Sequence, residues 1–332
     1  MNSIGNLARR ALQGLAAGLV LFLLASCGGG TEQVTPFDPA RYLAFGDEMS
    51  VLTKDLPQGR KYTVNGLNSD GSIDCVAAGS GLWTQAISNV FGLVFEECNP
   101  SGLAVAAFTY AAPGAKVADF ATQLAEARLT HGPFNCNDLM SVLVGANDVI
   151  ELFENVYLAD PTSNTANAVI NELTARGARL GKAIAALTDN DGPQVIVSTI
   201  PLMNLTPWAL KWNIDRPGAN VLNVLNNFSN AFNTALRVNI PNDGHRWGLV
   251  ELDALLQAAV NNPGSYGLSN TTQALCDPST WDTPNCTTNT LVDDASPNDY
   301  LWASDKWISW QAQSRLGTFA RNRATDNPFG CN

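Results

Sequence analysis

Short apolar runs alternate with segments of helical periodicity along most of the chain. Four runs predict β-strands, at residues 42–45, 139–144, 195–199 and 248–252. Between them, apolar residues recur at steps of three and four, which predicts amphipathic helices. One predicted stripe consists of Ile170, Leu173, Gly177, Leu180, Ile184 and Leu187, and another of Leu225, Phe228, Phe232 and Leu236. Strands separated by helices indicate an α/β fold with a parallel sheet covered by helices.

The N-terminal segment has the three parts of an export signal. Arg9 and Arg10 precede an apolar run over 11–24, which is shorter than the roughly 20 residues that a membrane-spanning helix needs. The following Leu24-Ala25-Ser26-Cys27 resembles the bacterial lipobox. We therefore expect a lipoprotein signal peptide over 1–27, with Cys27 lipidated as the first mature residue and anchored in the membrane. An ordinary secretory signal without lipid is the alternative.

Residues 28–40 predict a flexible tether, because they begin with three glycines and continue with polar residues. By resemblance to sorted lipoproteins, the residue after the lipidated cysteine bears on the destination, and Asp is absent there. Gly28 stands there instead, which favours the outer membrane, on its periplasmic face or at the cell surface.

The charge balance bears on possible partners. Without Arg9 and Arg10, 17 basic residues face 30 acidic ones, for a net charge of −13. An acidic chain repels phosphate backbones, so we expect no nucleic-acid partner. The apolar content of 45% is typical of a globular domain.

Six cysteines remain once Cys27 is set aside: Cys75, Cys98, Cys136, Cys276, Cys286 and Cys331. An even number in an exported chain predicts three disulfides, with fifteen possible connectivities. The short loops favour Cys276–Cys286 and Cys75–Cys98, which leaves Cys136–Cys331. A zinc site needs tighter cysteine spacing than any found here, so we predict no metal.

Three polar loops follow predicted strands, at 46–50, 145–148 and 200–201. In a parallel sheet, ligands bind at the carboxyl ends of the strands, so these loops are expected to meet at one edge. Two other segments are long and irregular: an insertion at 57–79, and a polar, cysteine-containing loop at 261–298 before the last helix.

Several blocks are similar to those of one enzyme family. The first three are Phe45-Gly46-Asp47, Ala111-Ala112-Pro113-Gly114-Ala115 and Gly145-Ala146-Asn147-Asp148. The later ones are Val197-Ser198-Thr199-Ile200-Pro201, Phe232-Asn233 with Leu236, Asn262-Pro263-Gly264-Ser265-Tyr266-Gly267, and Tyr300-Leu301-Trp302. In this order they resemble the SGNH/GDSL hydrolases, which are serine esterases and lipases.

The resemblance implies a flavodoxin-like three-layer α/β/α fold with a parallel central sheet, over residues 41–325, followed by a C-terminal tail at 326–332. It also implies that the Gly114 amide and the Asn147 side chain are oxyanion-hole donors. No cofactor is implied.

The chain departs from the family at all three catalytic positions. Glu48 stands where the family has its nucleophilic serine. Ala303 and Lys306 stand at the positions of the triad Asp and His, with one residue of uncertainty in the alignment. A serine hydrolase needs a hydroxyl nucleophile, a base and a group that orients the base, so efficient ester hydrolysis is not expected.

Other residues are weaker candidates for catalysis. Ser50 is an alternative nucleophile, although a hydrogen-bonding role at a helix N-terminus suits it better. His131 and His245 precede strands and so are expected at the opposite edge of the sheet from the site. Residues 189–192 have some features of a calcium loop but lack its ligand pattern, which favours a simple turn.

Glu48 and Lys306 could form an ion pair, with the carboxylate also accepting hydrogen bonds from Gly114 and Asn147. The alternative is two independent solvated charges.

Two functions follow from these expectations. The first is a non-catalytic envelope lipoprotein with a binding or structural role, and the second is an esterase with a rearranged site. Binding of an acyl ester or a carbohydrate without cleavage is a third possibility. Its stacking surfaces would come from Trp83, Trp208, Trp212, Trp302, Trp307 and Trp310, although most of these are expected in the core.

Overall fold

The computed structural model describes residues 36–331, apart from 77–78, 80, 190, 241–243, 245 and 327–328. The predicted signal peptide, Cys27 and most of the tether lie outside the described residues. The strands are β1 Arg41–Gly46, β2 Gly66–Leu67, β3 Ile73–Asp74, β4 Val94–Phe95, β5 Val105–Thr109, β6 Asp138–Leu143, β7 Gln194–Ser198, β8 Trp247–Val250, β9 Asn270–Ala274 and β10 Tyr300–Trp302. The α-helices are α1 Trp83–Val90, α2 Phe120–His131, α3 Ala146–Leu152, α4 Ser163–Thr188, α5 Pro207–Asp215, α6 Val221–Asn239, α7 Leu252–Asn261 and α8 Trp310–Asp326.

The central sheet has six strands in the order β4-β5-β1-β6-β7-β8, and every neighbouring pair is parallel. The chain moves from β1 to one side of the sheet and then returns to add β6, β7 and β8 on the other side. Because parallel crossovers are right-handed, this reversal places helices on both faces. Helix α1 packs on α8, while α4 packs on α6. The predicted three-layer α/β/α fold is confirmed.

The four predicted strands correspond to β1, β6, β7 and β8, with ends that differ by at most two residues. The stripe on α6 is fully buried, and the stripe on α4 is buried apart from Ile170, which is partly exposed. Strands β4 and β5 were not predicted.

The insertion and the cysteine-containing loop pack against each other beside the sheet. The backbone N–H of Asn65 donates to the Cys286 carbonyl over 2.9 Å, and the Asn65 side chain donates to the Pro284 carbonyl over 2.8 Å. Both segments contribute to a small second core, which consists of Val64, Leu275, Cys276, Cys286 and Ala303.

The three predicted disulfides are confirmed: Cys75–Cys98, Cys136–Cys331 and Cys276–Cys286. The folded domain extends past the predicted limits of 41 and 325. The Phe37 ring packs edge-on against Phe329 with 5.8 Å between centroids, and Phe329 is 1% exposed. Phe37 of the predicted tether and Phe329 of the predicted C-terminal tail therefore belong to the folded domain. Among the described residues, no helix combines the length and the apolar character that crossing a membrane requires.

Candidate functional site

Glu48 lies immediately beyond the carboxyl end of the central strand β1. The strand ends at Gly46, which has a φ of +133° and sits so close to β6 that an added Cβ would lie 1.9 Å from the Leu143 carbonyl oxygen. Only glycine fits there. Asp47 then caps a short 3₁₀ helix, Glu48–Ser50, by accepting from the Met49 N–H at 3.2 Å. This turn directs the Glu48 side chain into the edge of the sheet, where the residue is 7% exposed.

Two donors from neighbouring loops bind the Glu48 carboxylate. The Gly114 N–H, in the loop after β5, donates to Oε1 over 2.8 Å. The Asn147 Nδ2, in the first turn of α3, donates to Oε2 over 2.8 Å and to the Ala115 carbonyl over 3.1 Å. These are the two groups that the family resemblance assigns to the oxyanion hole. In this chain a side-chain carboxylate occupies them.

A buried charge network joins the two donor loops. Asp148 is 1% exposed, and its Oδ2 accepts from the Val117 N–H over 2.9 Å, which links α3 to the segment after Gly114. Its Oδ1 accepts from Arg176 of α4 over 2.9 Å. Burial raises the pKa of Asp148, and the hydrogen bonds from Val117 and Arg176 oppose that shift. The network therefore holds Asn147 and Gly114 in fixed relative positions.

Asp47 is fully buried beside Glu48, and its Oδ2 has no hydrogen-bond partner among the described residues. Burial raises its pKa well above the ordinary value, and the negative charges of Glu48 and Asp148 add to this effect. The site is thus rich in carboxyl groups.

The positions of the family's Asp and His hold no catalytic group. Ala303 is fully buried, and its N–H donates to the Trp307 carbonyl over 2.8 Å. The Lys306 Nζ lies 3.4 Å from Asp305 Oδ2 and 6.0 Å from the centre of the Trp208 ring.

The predicted ion pair between Glu48 and Lys306 is wrong. Within the described part of the chain, Glu48 makes no ion pair. The reason is local: Asp305 offers Lys306 a carboxylate in the same partly exposed turn, whereas both Glu48 oxygens are enclosed and already bound.

Several solved structures are similar to this one, although no family model and no curated protein matches the sequence. An acetylxylan esterase from Geobacillus stearothermophilus has 11% identity and a TM-score of 0.44, over 90% of this chain and 100% of that one. A lipase/acylhydrolase from Enterococcus faecalis has 12% identity and a TM-score of 0.39, over 86% and 95%. A member of the lipolytic protein G-D-S-L family from Veillonella parvula has 13% and 0.35, over 84% and 94%.

The fold assignment rests on the strand order of the parallel sheet and on the loops that bring Glu48, Gly114 and Asn147 together. The chain has an SGNH/GDSL hydrolase-like fold.

Ser50 is not available as a nucleophile in this SGNH-like domain. It is fully buried, and its Oγ accepts from the Trp83 indole N–H over 3.2 Å. The predicted role at a helix N-terminus is also wrong, since Ser50 ends the 3₁₀ helix and Asp47 caps it.

Among the described residues, His131 provides no base at the site. The His131 carbonyl accepts from Arg41 at the first residue of β1, so His131 lies at the amino edge as predicted. His245 lies outside the described residues. Asp189 ends α4 at a turn, and no group of three or more metal-ligating side chains occurs in the described ranges.

Tyr62 of the insertion was not singled out from the sequence. Burial raises its pKa, and the nearby carboxylates of Glu48 and Asp282 raise it further. Its phenol therefore lies near the site and near the cysteine-closed loop. An inserted tyrosine without a motif gives no sequence signal, so this position could only be found from the fold.

Proposed function

We propose that this protein is an exported lipoprotein whose SGNH-like domain binds a ligand and does not hydrolyse esters. One observation carries the proposal: the Glu48 carboxylate accepts hydrogen bonds from both Gly114 and Asn147, at 2.8 Å each. In ester hydrolysis, such preorganised donors stabilise the negative oxygen of the tetrahedral intermediate. A donor pair that already holds a carboxylate cannot also receive that oxygen.

The missing triad supports the same conclusion. Ser50 is buried against Trp83, and Ala303 and Lys306 provide no imidazole and no group to orient one. An oxyanion hole without nucleophile and base gives only a small residual rate enhancement, and here the hole is filled.

The export and anchoring parts of the proposal rest on the sequence of residues 1–27, which lie outside the described residues. The lipobox-like run before Cys27 and three disulfides, which form in oxidising compartments, both favour an envelope location. Mass spectrometry of the protein from bacterial membranes should find a mature N-terminus at Cys27 with added acyl mass. A Cys27→Ser variant should lack that mass and leave the membrane fraction, and an unacylated wild-type N-terminus would contradict the anchor.

The non-hydrolytic role is tested with nitrophenyl acetate and butyrate, using the full-length protein in non-ionic detergent. We expect no turnover above background from the wild type or from Ser50→Ala. A triple variant, Glu48→Ser with Ala303→Asp and Lys306→His, should gain measurable turnover because it frees the hole and adds the missing groups. The matched control, Ala303→Asp with Lys306→His, keeps Glu48 and should stay inactive. Wild-type turnover that Glu48→Gln abolishes would refute the proposal.

A further inference from the structure

Trp281 is the one strongly exposed tryptophan side chain among the described residues. It is 41% exposed, whereas Trp83, Trp208, Trp247, Trp302 and Trp307 are buried, and Trp212 and Trp310 pack partly against the core. The stacking candidates named from the sequence are thus mostly structural. The exposed indole lies on the loop between Cys276 and Cys286 instead.

The loop presents Trp281 in a fixed arrangement. A disulfide closes the base of the loop, and the backbone N–H of Trp281 donates to the Asp277 carbonyl over 2.8 Å. On the other side, Asn285 Nδ2 donates to Asp282 Oδ1 over 2.8 Å, and Arg60 of the insertion donates to Asn285 Oδ1 over 2.9 Å. A preorganised surface loses little conformational entropy when it binds a ligand.

The surroundings of Trp281 exclude two kinds of partner. Two aspartates, Asp277 and Asp282, and no lysine or arginine occur between Cys276 and Cys286, and Arg60 faces Asp55 at 3.9 Å, so an anionic ligand would be repelled. Thr280 and Asp282, the exposed residues on either side of Trp281, are polar, and a protein interface needs a larger apolar core than one indole with a nearby proline.

A neutral sugar ring suits an exposed indole with polar, uncharged or acidic neighbours. Its C–H face can stack on the indole, and its hydroxyl groups can bond to carboxylate, amide and guanidinium groups at the rim. We propose that Trp281, with Asp282, Asn285 and Arg60, binds a neutral glycan. This names the ligand class of the binding role proposed above, and so rests on that role.

The test is native affinity electrophoresis of the full-length protein in non-ionic detergent. The gels contain hydroxyethylcellulose, glucomannan or dextran as neutral glycans, and polygalacturonate as an anionic one. We expect retardation by at least one neutral glycan and not by polygalacturonate. Trp281→Ala should weaken the binding by about tenfold or more, because a central aromatic anchor carries much of a binding energy, while Trp281→Phe should retain part of it. Phe319→Ala, which removes another exposed aromatic ring on α8, is the matched control and should bind like the wild type.

Three outcomes would overturn the proposal: no retardation by any neutral glycan, equal retardation of Trp281→Ala and the wild type, or retardation by polygalacturonate alone. A photoreactive residue at position 281 that captures a protein in cells, without glycan binding in the gels, would identify a protein interface instead. The glycan measurement is independent of ester turnover. A wild type that is retarded but hydrolyses esters would contradict only the non-hydrolytic role.

Discussion

Replacing Glu48 by glutamine tests whether both donors hold its carboxylate. The substitution keeps the side-chain length but replaces one accepting oxygen by an amide that only donates. A hydrogen bond to a charged group contributes about 1.5–3 kcal/mol, and a buried donor left without an acceptor costs about 1–3 kcal/mol. We therefore expect Glu48→Gln to lower the free energy of unfolding by about 2 kcal/mol.

Combining Glu48→Gln with Asn147→Asp provides a double-mutant cycle. Asn147→Asp alone places a second carboxylate against Glu48, and two charges about 4 Å apart repel by roughly 4 kcal/mol at an effective dielectric constant of about 20. In the double variant, the glutamine amide at position 48 can donate to the new carboxylate at position 147, so the donor and acceptor are exchanged. The double variant should therefore be more stable than the sum of the two single changes predicts, by about 2 kcal/mol or more.

Urea unfolding followed by tryptophan fluorescence measures these differences. Glu126→Gln is the matched control, because Glu126 is exposed on α2, and it should change stability by less than about 0.5 kcal/mol. If Glu48→Gln is as stable as Glu126→Gln, or if the two site changes are simply additive, then the carboxylate is not bound as described.

Two further predictions concern the domain as a whole. Cys136→Ser with Cys331→Ser removes a link between residues 195 positions apart, and loop entropy predicts that the free energy of unfolding falls by about 5 kcal/mol. Cys276→Ser with Cys286→Ser removes a link between residues 10 positions apart and should lower it by about 3 kcal/mol. Equal urea midpoints for the two variants would contradict this difference. Burial raises the pKa of Asp47 above 3.8, so the folded protein retains a proton that the unfolded chain has lost, and this contribution to stability decreases as pH rises above that value. Asp47→Asn should therefore flatten the fall of the urea midpoint as the pH rises above about 4, and an unchanged slope would rule out Asp47 as its source.

The strands that the sequence predicted are the central, buried ones. Strands β1, β6 and β7 are buried on both faces, so each reads as a continuous apolar run. Strand β5 begins at Val105, which is 38% exposed, and β4 has only two residues. β4 is too short to give a run of its own, and both segments become strands through pairing, β5 with β1 and β4 with β5.

The meeting of Glu48 and Asn147 was predictable because their loops follow the predicted strands β1 and β6, whereas Gly114 was assigned to the site only by the family resemblance. The contacts of Lys306 and Ser50 were not predictable. Asp305 and Glu48 are both acidic partners for a lysine on sequence grounds, and only the fold shows that the first is close and the second enclosed. Asp47 and Ser50 are likewise both suitable capping residues, and the tight turn after Gly46 gives the capping position to Asp47.

The substitution at position 48 and the retained donors explain each other physically. A carboxylate that is 7% exposed, with no ion pair in the described part of the chain, needs hydrogen bonds to both oxygens to offset the cost of burial. Gly114 and Asn147 supply them from loops that the Asp148–Arg176 network already holds in place. The dipoles that in an esterase would stabilise a transient negative charge here stabilise a permanent one. Under the proposed function, adding a base and its orienting group should therefore give no ester turnover while Glu48 remains, since Gly114 and Asn147 become free to bind another oxygen only when that side chain is removed.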